Sequence, residues 1–209
     1  MRIRISFAKS GPMQFVGHLD LFRAWERTFR RSGLPLEYSQ GFHPQPHLNL
    51  ACALPLGFTS QCELLDAWLI GDFQISEVQE AISAALPPGL NISTVEPVDG
   101  RAPALQTLVT SAVYMITFLD DIPDINMRMN KILQELHLPR QRRDRAYDLR
   151  PLIEQMALLP LNPDQLTRIT VQLAAREGAT GRPEELLDEL GVKLENTRVH
   201  REKLILRAS

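Results

Sequence analysis

The sequence predicts an α+β protein, and three observations carry the prediction. Residues 2–9 alternate Arg2, Ile3, Arg4, Ile5, Ser6, Phe7, the period of a strand with one buried face. Residues 18–32 carry apolar groups at helical spacing and stop at Gly33. From there strand-like and helix-like stretches succeed one another as β-α-β-β-α-β, and the same order returns in the second half. That order is the ferredoxin-like arrangement. The expected architecture is therefore two tandem ferredoxin-like units, residues 1–98 and 105–209.

The elements follow in turn. After the first strand, Gly11-Pro12 makes a turn, and the helix of residues 18–32 gathers Leu19, Phe22, Trp25 and Phe29 in one stripe. Arg23, Arg27 and Arg30 lie along one flank of it, with Arg31 near the opposite side. Phe15 and Trp25 are expected in the core. Strands are expected over about 47–54 and 62–70, then a helix over 76–86 capped by Ser76 and ended by Pro87-Pro88-Gly89. Asn91 to Val95 closes the first unit. Glu96 to Pro103 has the composition of a linker. In the second half, Val109 to Leu119 reads as a strand and Ile125 to Leu136 as a helix. Segments near 148–158 and 167–176 are strand candidates. Arg182 to Gly191 is a short helix with proline at its start and glycine at its end, and Val199 to Arg207 is the last strand. The two halves share a pattern and no residue-level identity.

Composition narrows the function. With 23 basic and 25 acidic residues the formal net charge is −2, so any anion-binding surface has to be local. Cys52 and Cys62 are too few for a disulfide scaffold and have no metal spacing. No apolar run approaches the length that spans a bilayer, and the chain opens on a strand pattern without a signal peptide. The expectation is a cytoplasmic protein with no membrane partner. Glycine-rich phosphate loops of the Walker or dinucleotide type are absent from the sequence.

The stretch from Gly11 to Gly57 is the densest in polar and aromatic groups, where an arginine-bearing helix runs into a loop rich in proline, glycine and histidine. His18, His43 and His47 all belong to it. Three readings stand for them: metal ligands together with Asp20 or Cys52, acid–base groups, or residues that bond backbone at a helix start and in a loop. His43-Pro44-Gln45-Pro46-His47 cannot be helical, which removes the i, i+4 geometry of helix-borne zinc sites. No metal and no cofactor are expected. The arginines are the stronger signal, because guanidinium forks match phosphate oxygens and stack on bases. Arg23, Arg27 and Arg30 form one cluster, and Arg140, Arg142, Arg143 and Arg145 form a second. Tyr38, Phe42 and Phe58 supply rings that a base can stack on. The candidate binding residues are His18, Asp20, Arg23, Arg27, Arg30, Tyr38, Gln40, Phe42, His43, Arg142, Arg143 and Arg145. A solvated helix face and an exposed basic loop are the alternative for both clusters.

Lys9-Ser10-Gly11, Gly17-His18-Leu19-Asp20-Leu21-Phe22-Arg23 and Arg30-Arg31-Ser32-Gly33-Leu34-Pro35-Leu36-Glu37-Tyr38-Ser39-Gln40-Gly41-Phe42 resemble the radical SAM-associated domain of unknown function, a bacterial domain fused to or encoded beside radical SAM proteins. Leu54-Pro55-Leu56-Gly57, Glu63-Leu64-Leu65-Asp66, Tyr147-Asp148-Leu149-Arg150-Pro151-Leu152-Ile153 and Gly181-Arg182-Pro183-Glu184-Glu185-Leu186-Leu187 extend the likeness over nearly the whole chain. After Gly41-Phe42 the chain departs from the pattern, with His43-Pro44-Gln45-Pro46 where the family has asparagine, proline, histidine, proline. The resemblance implies a radical SAM protein as partner and no established activity. The chain itself lacks the three closely spaced cysteines that a radical SAM cluster needs. The leading expectation is a companion that binds RNA or presents a substrate to that partner and is not itself catalytic. The alternative is a metal-independent RNA-processing endoribonuclease using His18 or His43, similar in architecture to CRISPR repeat-processing enzymes. A module that binds a peptide of the partner enzyme is the third.

Overall fold

In the computed structural model, residues 1–207 other than Arg143 and Asn162 are described. The fold is mixed α/β, and the chain divides into two compact units, Met1–Val109 and Thr110–Ser209.

The first unit opens with β1 (Arg2–Lys9), a short 3-10 turn (Gly11–Phe15) and α1 (His18–Ser32). There follow β2 (Leu48–Leu50), β3 (Thr59–Trp68), α2 (Ile75–Ala85), β4 (Leu90–Val98) and a single turn α3 (Leu105–Leu108). The strands lie in the order β2-β3-β1-β4, and every pairing is antiparallel. Alternation in β1 sorts its two faces. Ile3, Ile5 and Phe7 are fully buried in a core with Leu65 and Ala67 of β3, Leu21, Trp25 and Phe29 of α1, and Val78 and Ile82 of α2. Arg2, Arg4 and Ser6 take the opposite parity and stand across from Trp68, Asp66 and Leu64.

α1 ends at Gly33 in the left-handed conformation that glycine adopts without strain (φ 74°). Its buried stripe is Leu21, Trp25, Thr28 and Phe29. Leu19, expected within the stripe, is 73% exposed, because about 120° of helical rotation separates it from Trp25 while Leu21 is within about 40°. Phe15 is also a correction, at 71% exposed, since the 3-10 turn inserts Met13 into the core instead. Ser76 does not cap α2: the helix starts at Ile75 with Gln74 as the preceding residue and no side-chain cap. Gly89, at φ 95°, lets its backbone close on the first strand's end, where the Ser10 N–H donates to the Gly89 carbonyl at 2.9 Å. A Cβ there would lie 2.4 Å from the Ser10 carbonyl oxygen.

The second unit runs β5 (Val109–Phe118), α4 (Ile125–Gln134), β6 (Pro139–Arg142), β7 (Arg145–Asp148), β8 (Ile153–Leu159), β9 (Arg168–Arg176), β10 (Ala179–Thr180), α5 (Pro183–Leu190) and β11 (Thr197–Leu206). Its main strands lie in the order β8-β9-β5-β11, and two-residue β10 shares the outer edge of β9. The strand expected near 148–158 begins later, at Ile153. The basic run before it forms a separate two-stranded hairpin, β6 against β7, with Arg140 opposite Tyr147 and Arg142 opposite Arg145. Pro183 at the first turn and Gly191 at φ 70° frame α5 as the sequence predicts.

Glu154 of β8 ties this sheet together. It accepts hydrogen bonds from Ser111 Oγ and Gln172 Nε2, each at 2.7 Å, and pairs with Arg176 at 3.1 Å. Burial alone would raise its pKa, but these three donors outweigh burial and hold the carboxyl below the ordinary glutamate range. A carboxyl depressed on folding contributes stability above its unfolded pKa, and that contribution is lost as pH falls through the folded value. Glu154→Gln should therefore flatten the acid limb of the stability curve, leaving a smaller loss of Tm below about pH 4.3 than in the parent chain. Thermal melts from neutral to acid pH measure it.

Candidate functional site

α1 and the loop after it position the first group of candidates. The loop is laced by backbone bonds from Ser39 N–H to the Gln45 carbonyl (2.9 Å) and from His47 N–H to the Glu37 carbonyl (2.8 Å), with Tyr38 bridging Pro46. The closed end between these bonds holds Gln40, Phe42 and His43, all exposed, and Phe42 is 100% exposed, whereas Phe58, expected as a stacking ring, is buried and presents no face to a base. Glu26 joins the loop's base to the helix flank, taking Arg30 Nη2 at 3.1 Å and lying 3.5 Å from the Tyr38 hydroxyl. Tyr38 and Arg30, with Gly33, Leu34, Pro35 and Leu36, line a shallow depression of about 280 Å³. One turn earlier Arg23 pairs with Asp20 at 3.2 Å, both well exposed. Arg27 is exposed and has no ion-pair partner among the described residues, and His18 is the exposed first residue of the helix.

The second group sits on the β6–β7 hairpin, and α5 answers Arg140 and Arg142. Arg142 gives Nη2 to both carboxylate oxygens of Glu185 (2.7 and 2.9 Å) and to the Thr180 carbonyl (3.2 Å), and its guanidinium lies 4.9 Å from the Tyr147 ring centre. Burial would lower its pKa, but Glu185 overrides that and raises it, so the charge is fixed. Burial, then Glu185, pushes the Tyr147 phenol up. Arg140 pairs with Glu189 at 3.0 Å and Asp188 at 3.6 Å. Asp148 accepts from the Leu138 and Arg150 N–H groups and meets His137 Nδ1 at 2.8 Å; the Leu138 bond first, then His137, holds it below the ordinary aspartate range. Arg140 and Arg142 are thus both paired with α5. Arg145 is exposed with no ion-pair partner among the described residues, and Arg143 lies outside them. Sequence reading passed over the answering acids, although Glu185, Asp188 and Glu189 recur at helical spacing on α5.

A third polar cluster escaped the sequence altogether. Asp66, fully buried, receives Arg2 Nη2 at 2.6 Å and Arg4 Nε at 2.7 Å. Arg2 continues to the Ala102 and Pro103 carbonyls (2.7 and 2.8 Å) and lies 4.8 Å from the Trp68 ring centre. His47 stacks flat on Trp68 at 3.8 Å. The available signal was the parity of Arg2 and Arg4 against Ile3 and Ile5. This cluster ties the 99–106 segment to the sheet, and we assign it structural work.

Among the described residues no group of three or more His, Cys, Asp or Glu is placed to hold a metal ion. Both cysteines are half-buried. Among the described residues no helix is long and apolar enough to cross a membrane.

Strand order, buried stripe and paired hairpin define a mixed α/β protein whose exposed polar groups gather on a helix flank, a laced loop and a hairpin. The chain belongs to the family described as "Uncharacterized protein conserved in bacteria (DUF2344)", which matches residues 2–183. No curated protein matches. Among solved structures, the chain is similar to one from "Crystal Structure of a Cbf5-Nop10-Gar1 Complex" at TM-score 0.48 and 12% identity, over 97% of this chain and 48% of that one, so it spans about half that chain's length. It is also similar to an unknown protein from Galdieria sulphuraria (TM-score 0.27, 16% identity, 99% and 98% covered). A third likeness is to the small subunit of acetolactate synthase from Thermotoga maritima (TM-score 0.29, 11% identity, 100% and 98% covered).

Proposed function

We propose that the chain is a cytoplasmic companion of a radical SAM protein, built from two tandem ferredoxin-like units over residues 1–98 and 105–209, that binds RNA and presents it or another substrate to that partner without catalysing a reaction itself. The strand order within each unit supports the ferredoxin-like reading, since both place the first and third main strands in the middle of the four. The resemblance of the His-Leu-Asp-Leu and Tyr-Ser-Gln-Gly-Phe stretches supports the partner. The observation that carries RNA binding is the pairing of an exposed arginine flank on α1 with a laced loop that holds Phe42 fully in solvent. Burying a large ring is worth about 2 kcal/mol, so a ring presented on a fixed loop is suited to stacking against something else. A loop already held by its own backbone bonds also loses less entropy on binding.

Arg27→Glu combined with Arg30→Glu should weaken RNA binding about tenfold or more and flatten its salt dependence, with the fold unchanged, because both side chains lie off the buried stripe. Filter binding to tRNA and rRNA fragments over a salt series measures it. Equal binding by the parent and the double variant at every salt would reduce this flank to a solvated surface. Co-purification from the native cell tests the partner, and absence of a radical SAM protein from the captured material counts against it. The RNA recovered should be intact. Cleavage abolished by His18→Ala or His43→Ala would replace the companion reading with that of an endoribonuclease.

A further inference from the structure

Tyr147-Asp148-Leu149-Arg150-Pro151-Leu152 and Gly181-Arg182-Pro183-Glu184-Glu185, distant in sequence, meet around one groove in the second unit. Its volume is about 1000 Å³, at the upper end of what small-molecule sites enclose. The hairpin supplies Arg142, Arg145 and Tyr147, the segment after it Pro151 and Leu152, and the β10 turn Thr180 next to Arg182. The meeting is close: a Cβ on Gly181 would stand 3.2 Å from the Leu152 carbonyl oxygen, so a side chain there would push the two walls apart.

The charges around this groove are not equivalent. Arg142 is committed to Glu185, the Thr180 carbonyl and the Tyr147 ring, which makes it a positioning residue. Asp148 is committed to the Leu138 and Arg150 N–H groups and to His137. Arg145 and Arg182 are exposed and without an ion-pair partner within 4 Å among the described residues; Arg182 also feels the charge of half-buried Glu184 but makes no contact ion pair with it, so both forks remain available to a ligand. Two available guanidinium groups beside a tyrosine ring and an apolar wall of Pro151 and Leu152 match a ligand that is anionic at one end and flat and weakly polar at the other. Asp144, which also lines the groove, keeps the field modest, which favours a ligand held by ring contact as well as by charge.

We propose that this groove binds a nucleotide of single-stranded RNA, with Arg145 and Arg182 on phosphate oxygens and the base against Tyr147. The proposal rests on the RNA-binding reading above and adds a second contact site to it. The tight coupling of Arg142, Glu185 and Tyr147 prearranges the ring, and stacking on a fixed ring tolerates any base.

The test is fluorescence anisotropy of the full chain with a labelled oligouridine and with its abasic counterpart, over a salt series. Arg145→Ala with Arg182→Ala should weaken oligouridine binding about tenfold or more and lower the salt slope by about 1.4, since each phosphate contact on a single strand contributes about 0.7. Tyr147→Ala should abolish the preference for oligouridine over the abasic strand, and Tyr147→Phe should keep it. If the double alanine variant melts early, Arg145→Lys with Arg182→Lys at the parent melting point takes its place, with a loss of affinity expected because the forks are gone. Parent-like affinity and slope in the folded arginine variant, while the Arg27/Arg30 variant loses binding, overturns the groove and leaves the RNA reading standing. No binding of either strand by the parent chain overturns both.

Discussion

Asp66→Ala is expected to destabilise the first unit by about 3–5 kcal/mol, enough to unfold a domain of ordinary stability at 37 °C. The carboxylate is fully buried and is shared by two guanidinium groups, Arg2 at 2.6 Å and Arg4 at 2.7 Å. Removing it leaves Arg2, itself only 5% exposed, with a charge that the Ala102 and Pro103 carbonyls solvate in part. The loss comes mainly from that stranded cation and only secondarily from the four hydrogen bonds that Arg2 and Arg4 give to the carboxylate. Asp66→Asn keeps the shape but not the charge, and should fall between alanine and the parent. Arg4→Met should cost less than Asp66→Ala, because Arg2 retains its partner and the methionine stem still covers the sheet. Urea unfolding at low and high salt separates the terms, since a buried pair is screened far less than a surface one. A loss below about 1 kcal/mol for Asp66→Ala would class the cluster with surface ion pairs.

The Arg2–Asp66–Arg4 cluster also shows where sequence reading stops. The alternation in Arg2–Lys9 identifies the strand and assigns Ile3, Ile5 and Phe7 to the core, because side-chain parity is a local property. Which residue answers the arginines on the other face depends on register with β3, which no local pattern encodes. The same holds for Arg140 and Arg142: their run is visible in the sequence, but their neutralisation by α5 depends on contacts between distant segments, Arg140 with Glu189 and Arg142 with Glu185. The hairpin itself was hidden because Pro139–Arg142 and Arg145–Asp148 are four residues each and show no alternation of apolar with polar groups, so neither face stands out. By contrast Gly33, Gly191 and Pro183 mark their helix ends through φ preferences that belong to the residue alone. Of the candidate site, the loop from Gly33 to Pro46 was legible as a Pro/Gly-rich connection, whereas the meeting of Tyr147 with Arg182 around one groove was not.

Helix α1 gives the sharpest contrast between neighbouring positions. Trp25→Ala should cost about 3–5 kcal/mol, and Leu21→Glu should unfold the unit, whereas Leu19→Glu should change stability by no more than about 0.5 kcal/mol. Trp25 is fully buried, edge-on to Phe7 with ring centres 4.9 Å apart and tilted against Phe29 at 6.3 Å. An alanine there opens a cavity between the helix and β1 that neither ring can fill without leaving its rotamer. Trp25→Phe should be far milder, since it keeps an aromatic ring against Phe7 and removes an indole N–H that is buried without a hydrogen-bond acceptor. Thr28 occupies the same stripe at no polar cost, because its Oγ1 donates to the Ala24 carbonyl at 2.9 Å. Leu19 sits on the far side of the first turn, 73% exposed, where a carboxylate near the helix N-terminus is mildly favoured by the helix dipole. Chemical denaturation of the four variants in parallel decides the register. If Leu19→Glu proved as damaging as Leu21→Glu, the helix would be rotated by about a third of a turn from the arrangement described, and the exposed flank of Arg23, Arg27 and Arg30 would turn with it.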